Sequence, residues 1–196
     1  AEDARGAARI EALEQEVHAT GQGGYDISFR PRLQSEDDNA AMSLATNLAV
    51  ADLLLAAGTG LFRVMPEPDA RAQQRLRHTA KALGFDWKAE TTLVDFERSL
   101  DGSAAKPAAL LMAIRRAGGG ASYVTFSEGR PPWHSAVAAT YAHATAPLRR
   151  LADRYVVMGA LAIANGQPMP EEIAAAFPKL PVVMERADDM AGQIER

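Results

Sequence analysis

Residues 141–155, YAHATAPLRRLADRY, hold the most constraining pattern in the chain. Tyr141, His143 and Thr145 alternate with alanines, so an extended backbone sends all three polar groups to one side. Pro147 fixes φ and lacks an N–H, which suits the first position of a helix capped by Thr145 or Ala146. Downstream, Leu148, Leu151, Ala152, Tyr155, Gly159, Ala162 and Ile163 recur at helical spacing and predict one buried face. The segment is predicted to pass from a strand-like stretch straight into a helix.

That helix begins with the wrong charge. Helix N-termini carry partial positive charge and attract Asp or Glu, yet the predicted first turn holds Arg149 and Arg150, with Arg154 following. Two readings stay open on the residues alone. One is an anion site, in which free backbone N–H groups and guanidiniums grip a phosphate. The other is a solvated basic pair, with Arg149 bonded to Asp153 one turn on.

The run Tyr141-x-His143-x-Thr145-Ala146-Pro147-Leu148-Arg149-Arg150-x-x-Asp153 resembles the signature of the RNB family, the ribonuclease II and ribonuclease R exoribonucleases. The family pattern is approximately Tyr-x-His-x-Thr-Ser-Pro-Ile-Arg-Arg-x-x-Asp. Ala146 stands where the family usually has Ser, and Leu148 where it has Ile. Elsewhere the likeness is thinner. The Met42–Asn47 stretch is similar to a Met-containing family helix bearing an Asn, and Gly60-Leu61-Phe62-Arg63 to a short family strand. His134 resembles the His opening the segment before Tyr-x-His, although the spacing to Tyr141 is one residue shorter here.

Composition narrows the context. A chain of 196 residues with 47% hydrophobic content fits one domain or a large piece of one. A net charge of −4 excludes a protein that is basic all over, so contact with nucleic acid must come from a local patch. With no cysteine there are no disulfides or thiolate metal sites, which is compatible with a cytoplasmic location. No apolar run is expected to span a bilayer, so no membrane partner is expected. The chain starts Ala1-Glu2-Asp3 without Met and stops in mid-pattern, and is expected to be part of a longer protein.

Along the chain, residues 2–18 read as a helix with Ile10, Leu13 and Val17 as a thin stripe, ended by Gly21, Gly23 and Gly24. Residues 25–30 alternate as a strand, closed by Pro31. Glu36, Asp37, Asp38 and Asn39 open a helix to about Ala57, apolar nearly all round and so expected to be central and buried. Asn47 inside it must find hydrogen-bond partners. Leu61–Val64 reads as a strand, and Asp69 as the cap of a helix over 70–83 whose outer face is basic through Arg71, Arg75, Arg77 and Lys81. Helices are predicted over 93–100 and 104–116, a strand over 122–126, a loop over 131–134, and helices over 171–177 and from Pro181. Trp87 and Trp133 read as packing anchors, and His18, His78 and Asp188-Asp189 as surface groups. The fold class is α+β and predominantly helical, with about seven helices and three or so short strands completing a sheet with upstream members. Residues 1–24 form an N-terminal helix and linker, and 25–196 the C-terminal half of an RNB-like catalytic domain.

The resemblance implies a function. RNB enzymes hydrolyse single-stranded RNA from its 3′ end with Mg²⁺ held by an aspartate cluster, a motif absent from this sequence. The expected partner is therefore an upstream, aspartate-containing half of the same protein, and no metal ligand is assigned here. Arg149 is the expected catalytic residue, stabilising charge on the scissile phosphate. Arg150, Tyr141, His143, Thr145, His134 and Arg63 are the expected RNA contacts. Glu36-Asp37-Asp38 is the only tight acidic triplet, but three successive residues point different ways and read better as a charged helix start. A non-catalytic RNA- or phosphate-binding module, a divergent inactive RNB-like protein and a helical interaction domain are the competing readings.

Overall fold

The computed structural model describes residues 14–21, 23–30, 33–102, 104–118 and 120–194. Residues 2–13 of the helix predicted over 2–18, and the closing Pro31, lie outside them. Glu14–Ala19 is not the end of a helix but strand β1, paired antiparallel with β2 (Tyr25–Arg30) in a hairpin that sets Val17 opposite Ile27. Its residues alternate as readily as they follow a helical stripe, and pairing decides between the two.

The described residues divide into two compact units, those within 43–68 and 118–194 in one and those within 14–42 and 69–117 in the other. Helix α1 (Gln34–Ala56) is shared between them and starts five residues earlier than the predicted Asn39. Glu36 thus lies in its first turn, where its carboxylate takes both arms of Arg30 (2.7 and 2.9 Å) and the Leu33 N–H (2.7 Å). The acidic triplet is a charged helix start, and Glu36 is already occupied. Contrary to expectation, α1 is buried only at Asn47, Ala51 and Leu54, and Met42 is exposed. Apolar residues all round gave no direction to the burial, and only one stripe meets packed neighbours. Helix α1 has 23 residues, and an 18-residue stretch of it reaches a mean hydropathy of 1.3, which by length and composition alone is enough to cross a bilayer and corrects the expectation that no run is. Its buried stripe is nonetheless built into the first unit's core.

In the first unit, β3 (Leu61–Val64) is the organising strand. On one side it pairs antiparallel with β4 (Ser122–Thr125). On the other, Arg63 N–H donates to Tyr141 O (2.8 Å), Met65 N–H to Trp133 O (3.2 Å) and Ser135 N–H to Met65 O (2.9 Å). These bonds anchor a hairpin of β5 (Trp133–His134) and β6 (Ala139–Thr140), where a plain loop was expected. The described strands thus pair within the chain, as three two-stranded sheets. Helices α5 (Leu151–Ala164), α6 (Glu171–Ala176) and α7 (Leu180–Ile194) complete the unit. Its core joins Leu54, Leu61, Phe62, Ala142, Ala152, Val156, Ile173 and Phe177.

Gly60, which leads into β3, has φ +125°, and a Cβ there would lie 2.9 Å from Leu54 Cβ. Backbone strain and overlap with a fully buried side chain then act together. Gly60→Ala is expected to destabilise the protein by about 3 kcal/mol in urea unfolding. Gly84→Ala, at φ +90° but with open space around it, should cost only about 1 kcal/mol.

The second unit contains α2 (Ala70–Leu83), α3 (Leu93–Arg98) and α4 (Ala105–Ala117). Asp69 caps α2 as predicted, accepting from Ala72 N–H (2.7 Å), and Gly84 ends it. Trp87 is the anchor it was expected to be, stacked on Phe96 at 4.6 Å. Arg77 does not join the basic outer face. It lies 4.2 Å over the Trp87 ring and donates to the carbonyls of Trp87, Lys88, Ala89 and Thr91. A shallow cavity of about 510 Å³ beside it is lined by Arg77, His78, Lys81, Gly84, Phe85, Asp86 and Trp87.

Candidate nucleic-acid interface

The predicted alternation at 141–145 holds: Ala142 and Ala144 sink into the core, Tyr141 and His143 are half-buried, and Thr145 is exposed. Asn47 holds this face in place. Only 2% exposed, it donates through Nδ2 to the Tyr141 hydroxyl (2.8 Å) and Thr145 Oγ1 (3.4 Å), and accepts the Ala144 N–H at Oδ1 (2.9 Å). The polar exception inside α1 thus finds its partners in the motif itself.

The helix starts later than Pro147 suggested. Pro147, Leu148 and Arg149 form a turn closed by the Arg149 and Arg150 N–H groups on Ala146 O, and α5 begins only at Leu151, with Arg150 as its cap residue. Asp153 explains the shift. It is fully buried in the first turn, accepts the Ala146 N–H (2.8 Å), and takes Arg150 Nε (2.9 Å) and Nη2 (2.8 Å) on its two oxygens. A carboxylate one turn inside a helix is also well placed against the dipole. The corrections follow from that residue. Arg150 is the internal counter-ion of Asp153, with its Nε and Nη2 engaged there and no longer aimed as a free pair at a phosphate. Leu148 is not on the buried helix face but fully exposed. Arg149 is exposed, and no hydrogen bond or ion pair engages its guanidinium among the described residues. The expected i,i+4 pair of Arg149 with Asp153 is replaced by the i,i+3 pair of Arg150.

The other candidates form a row of rings. Tyr123, His143, Tyr141 and His134 follow one another edge to face, with centroids 5.8, 5.4 and 5.4 Å apart. Tyr123, which sequence reasoning missed, hydrogen-bonds through its hydroxyl to His143 Nδ1 (2.8 Å). Arg63 lies 4.5 Å over the Tyr123 ring and reaches Asp188 at 3.4 Å, so its place is in the wall and Asp188 is not a purely solvated acid. His134 is buried with no partner at Nδ1 among the described residues, and packs against Tyr141. Trp133 beside it is half-exposed, not the packing anchor expected.

The electrostatics keep both histidines uncharged. Burial, with Arg150 close by, pushes His143 down from 6.5 to about 4, Asp153 opposing and Arg63 and His134 adding to the effect. Burial and then Arg63 also lower His134. Unfolded histidine takes up its proton near pH 6.5 but the folded His143 does so only near pH 4, so the unfolded state binds more protons between these values. Stability is therefore expected to fall as pH drops from 6.5 to 4. Thermal melts across that range should show a shallower decline for His143→Gln than for wild type.

Among the described residues no group of three or more acidic or histidine side chains could hold a metal ion. The residues present do not fit a Mg²⁺ site, and no chemical step here runs through one.

No protein-family model matches the sequence, and no curated protein matches it. Solved structures do. RNase R from Mycoplasma genitalium in complex with ribose-methylated single-stranded RNA superposes on 98% of this chain with a TM-score of 0.75 at 19% identity. The fold is RNase R-like. The chain spans 31% of that RNase R chain, and 35% of the same enzyme in complex with double-stranded RNA, at 18% identity. Yeast Ssd1, a pseudonuclease, matches 71% of this chain with a TM-score of 0.60 and 20% identity, over 18% of its own length. The RNase R-like fold thus agrees with the α+β, mostly helical class and with the resemblance carried by residues 141–153.

Proposed function

We propose that this chain is the phosphate- and nucleotide-holding part of a 3′-to-5′ exoribonuclease acting on single-stranded RNA. The observation that carries the reading is Arg149, an exposed guanidinium unengaged among the described residues, on a turn fixed by the Arg150–Asp153 pair, within an RNase R-like fold. Its role is to stabilise charge developing on the scissile phosphate. Tyr141 and His143 hold the terminal nucleotides, and Thr145 lies beside them. Arg150, Arg63 and His134 act from behind, as counter-ion, ring support and packing partner. Mg²⁺ belongs to an aspartate-bearing half elsewhere in the same protein, and no membrane takes part.

A second reading is a non-catalytic RNA-binding or divergent inactive member. It is favoured by the absence of a metal-holding cluster among the described residues and by the likeness to a pseudonuclease. A 5′-labelled single-stranded RNA incubated with the protein carrying both halves separates the two. The exonuclease reading expects stepwise shortening from the 3′ end with Mg²⁺ and none with a chelator. Binding without shortening under both conditions rejects it in favour of the module.

A further inference from the structure

We infer that Tyr123 is a positioning residue that fixes His143 as the Nε2–H tautomer, so that His143 presents an uncharged hydrogen-bond donor to an oxygen acceptor on the ligand. Tyr123 is buried, and among the described residues its hydroxyl has one partner, His143 Nδ1 at 2.8 Å. A phenol donates strongly, and leaving a buried O–H without an acceptor costs about 1–3 kcal/mol. Were Nδ1 protonated, it would donate to the phenol oxygen, and the Tyr123 proton would be left without an acceptor among the described residues. A bare Nδ1 accepts it, which in a neutral imidazole places the ring proton on Nε2. Nε2 has no partner among the described residues and is not among the buried, unsatisfied atoms, so it is open to a ligand.

Tyr123 is itself held. Arg63 covers its ring at 4.5 Å and is steadied by Asp188. Burial holds the phenol above its ordinary value and keeps it protonated. Tyr141 packs edge-on against His143 and limits rotation of the imidazole. The site therefore divides its labour: Arg149 supplies charge, and His143 supplies a directional neutral donor. An uncharged donor suits a ribose 2′-hydroxyl or a single phosphate oxygen, and only the identity of this acceptor rests on the RNA reading.

Long-range ¹H–¹⁵N spectra of the histidine-labelled chain test the tautomer with no ligand present. The expected result is an unprotonated Nδ1 and a protonated Nε2 for His143, becoming a mixture in Tyr123→Phe while His18 and His78 stay unchanged. Phe keeps the ring under Arg63, and the wild-type spectrum alone decides if that variant fails to fold. A protonated Nδ1 in the wild type, or no change in Tyr123→Phe, overturns the assignment. Affinities for matched ribo- and 2′-deoxy-oligonucleotides then name the acceptor. His143→Ala should weaken binding about five-fold, the worth of one hydrogen bond. A loss confined to the ribo-oligonucleotide identifies the 2′-hydroxyl, and a loss on both identifies a phosphate oxygen. Unchanged affinity for both overturns the donor role. Failure of the wild type to bind either would contradict the RNA reading and leave the tautomer to the spectra.

Discussion

On the proposed function, Arg149→Ala, in a protein joining this chain to the proposed aspartate-bearing half, is expected to lower kcat for RNA hydrolysis about 100- to 1,000-fold. The melting temperature should not move. The two expectations come from the same geometry. The Arg149 side chain is exposed and engages no group of the protein among the described residues, so removing it exposes no cavity and strands no partner. On the proposed function, its contribution appears only when charge develops on a bound phosphate. Arg150→Ala should behave in the opposite way, losing stability first, because its guanidinium is shared with a buried carboxylate. Steady-state turnover and thermal melts on both variants separate a transition-state contact from a structural one. Equal loss of activity and stability in Arg149→Ala would remove it from the site.

Asp153→Ala carries the largest expected effect on stability, about 3–5 kcal/mol, as for breaking a buried ion pair from one side. Asp153 is fully buried, and its removal strands the Arg150 fork and leaves the Ala146 N–H without its acceptor. The turn that carries Arg149 should loosen with it. Replacing both partners by apolar residues, Arg150→Met with Asp153→Leu, removes the stranded charge and should recover much of the loss. The proposed RNA contact of Arg149 should not recover, since the turn is still missing its bond to Ala146. Chemical unfolding of the single and double variants measures the first point, and RNA affinity the second.

How much of this could be read from residues alone depends on where the decisive partner sits. Asp69 and its helix were legible because cap and helix are adjacent, and Asn47 because a polar residue in an apolar helix must be satisfied. The alternation at Tyr141, His143 and Thr145 was legible for the same local reason. The start of α5 was not. Pro147 fits a first helical turn, but the bond of Asp153 to Ala146 N–H and its grip on Arg150 hold residues 147–149 outside the helix. Both arginines look alike in the sequence, and only their partners distinguish them. Tyr123 had no signal at all, because it comes under Arg63 by the pairing of β4 with β3, where Arg63 faces it in register. The apolar stretch of α1 told of a helix but not of its buried side, which a single stripe of Asn47, Ala51 and Leu54 defines.

The central claim is that Arg149 grips an RNA phosphate, and the anisotropy of a labelled single-stranded RNA, titrated with this chain across a range of salt concentrations, tests it most directly. Wild type should bind with an affinity that falls as salt rises. Arg149→Ala should bind more weakly, with a log–log salt slope shallower by about 0.7, the value for one phosphate contact on a single strand. Identical affinity and slope for the two proteins would contradict the account.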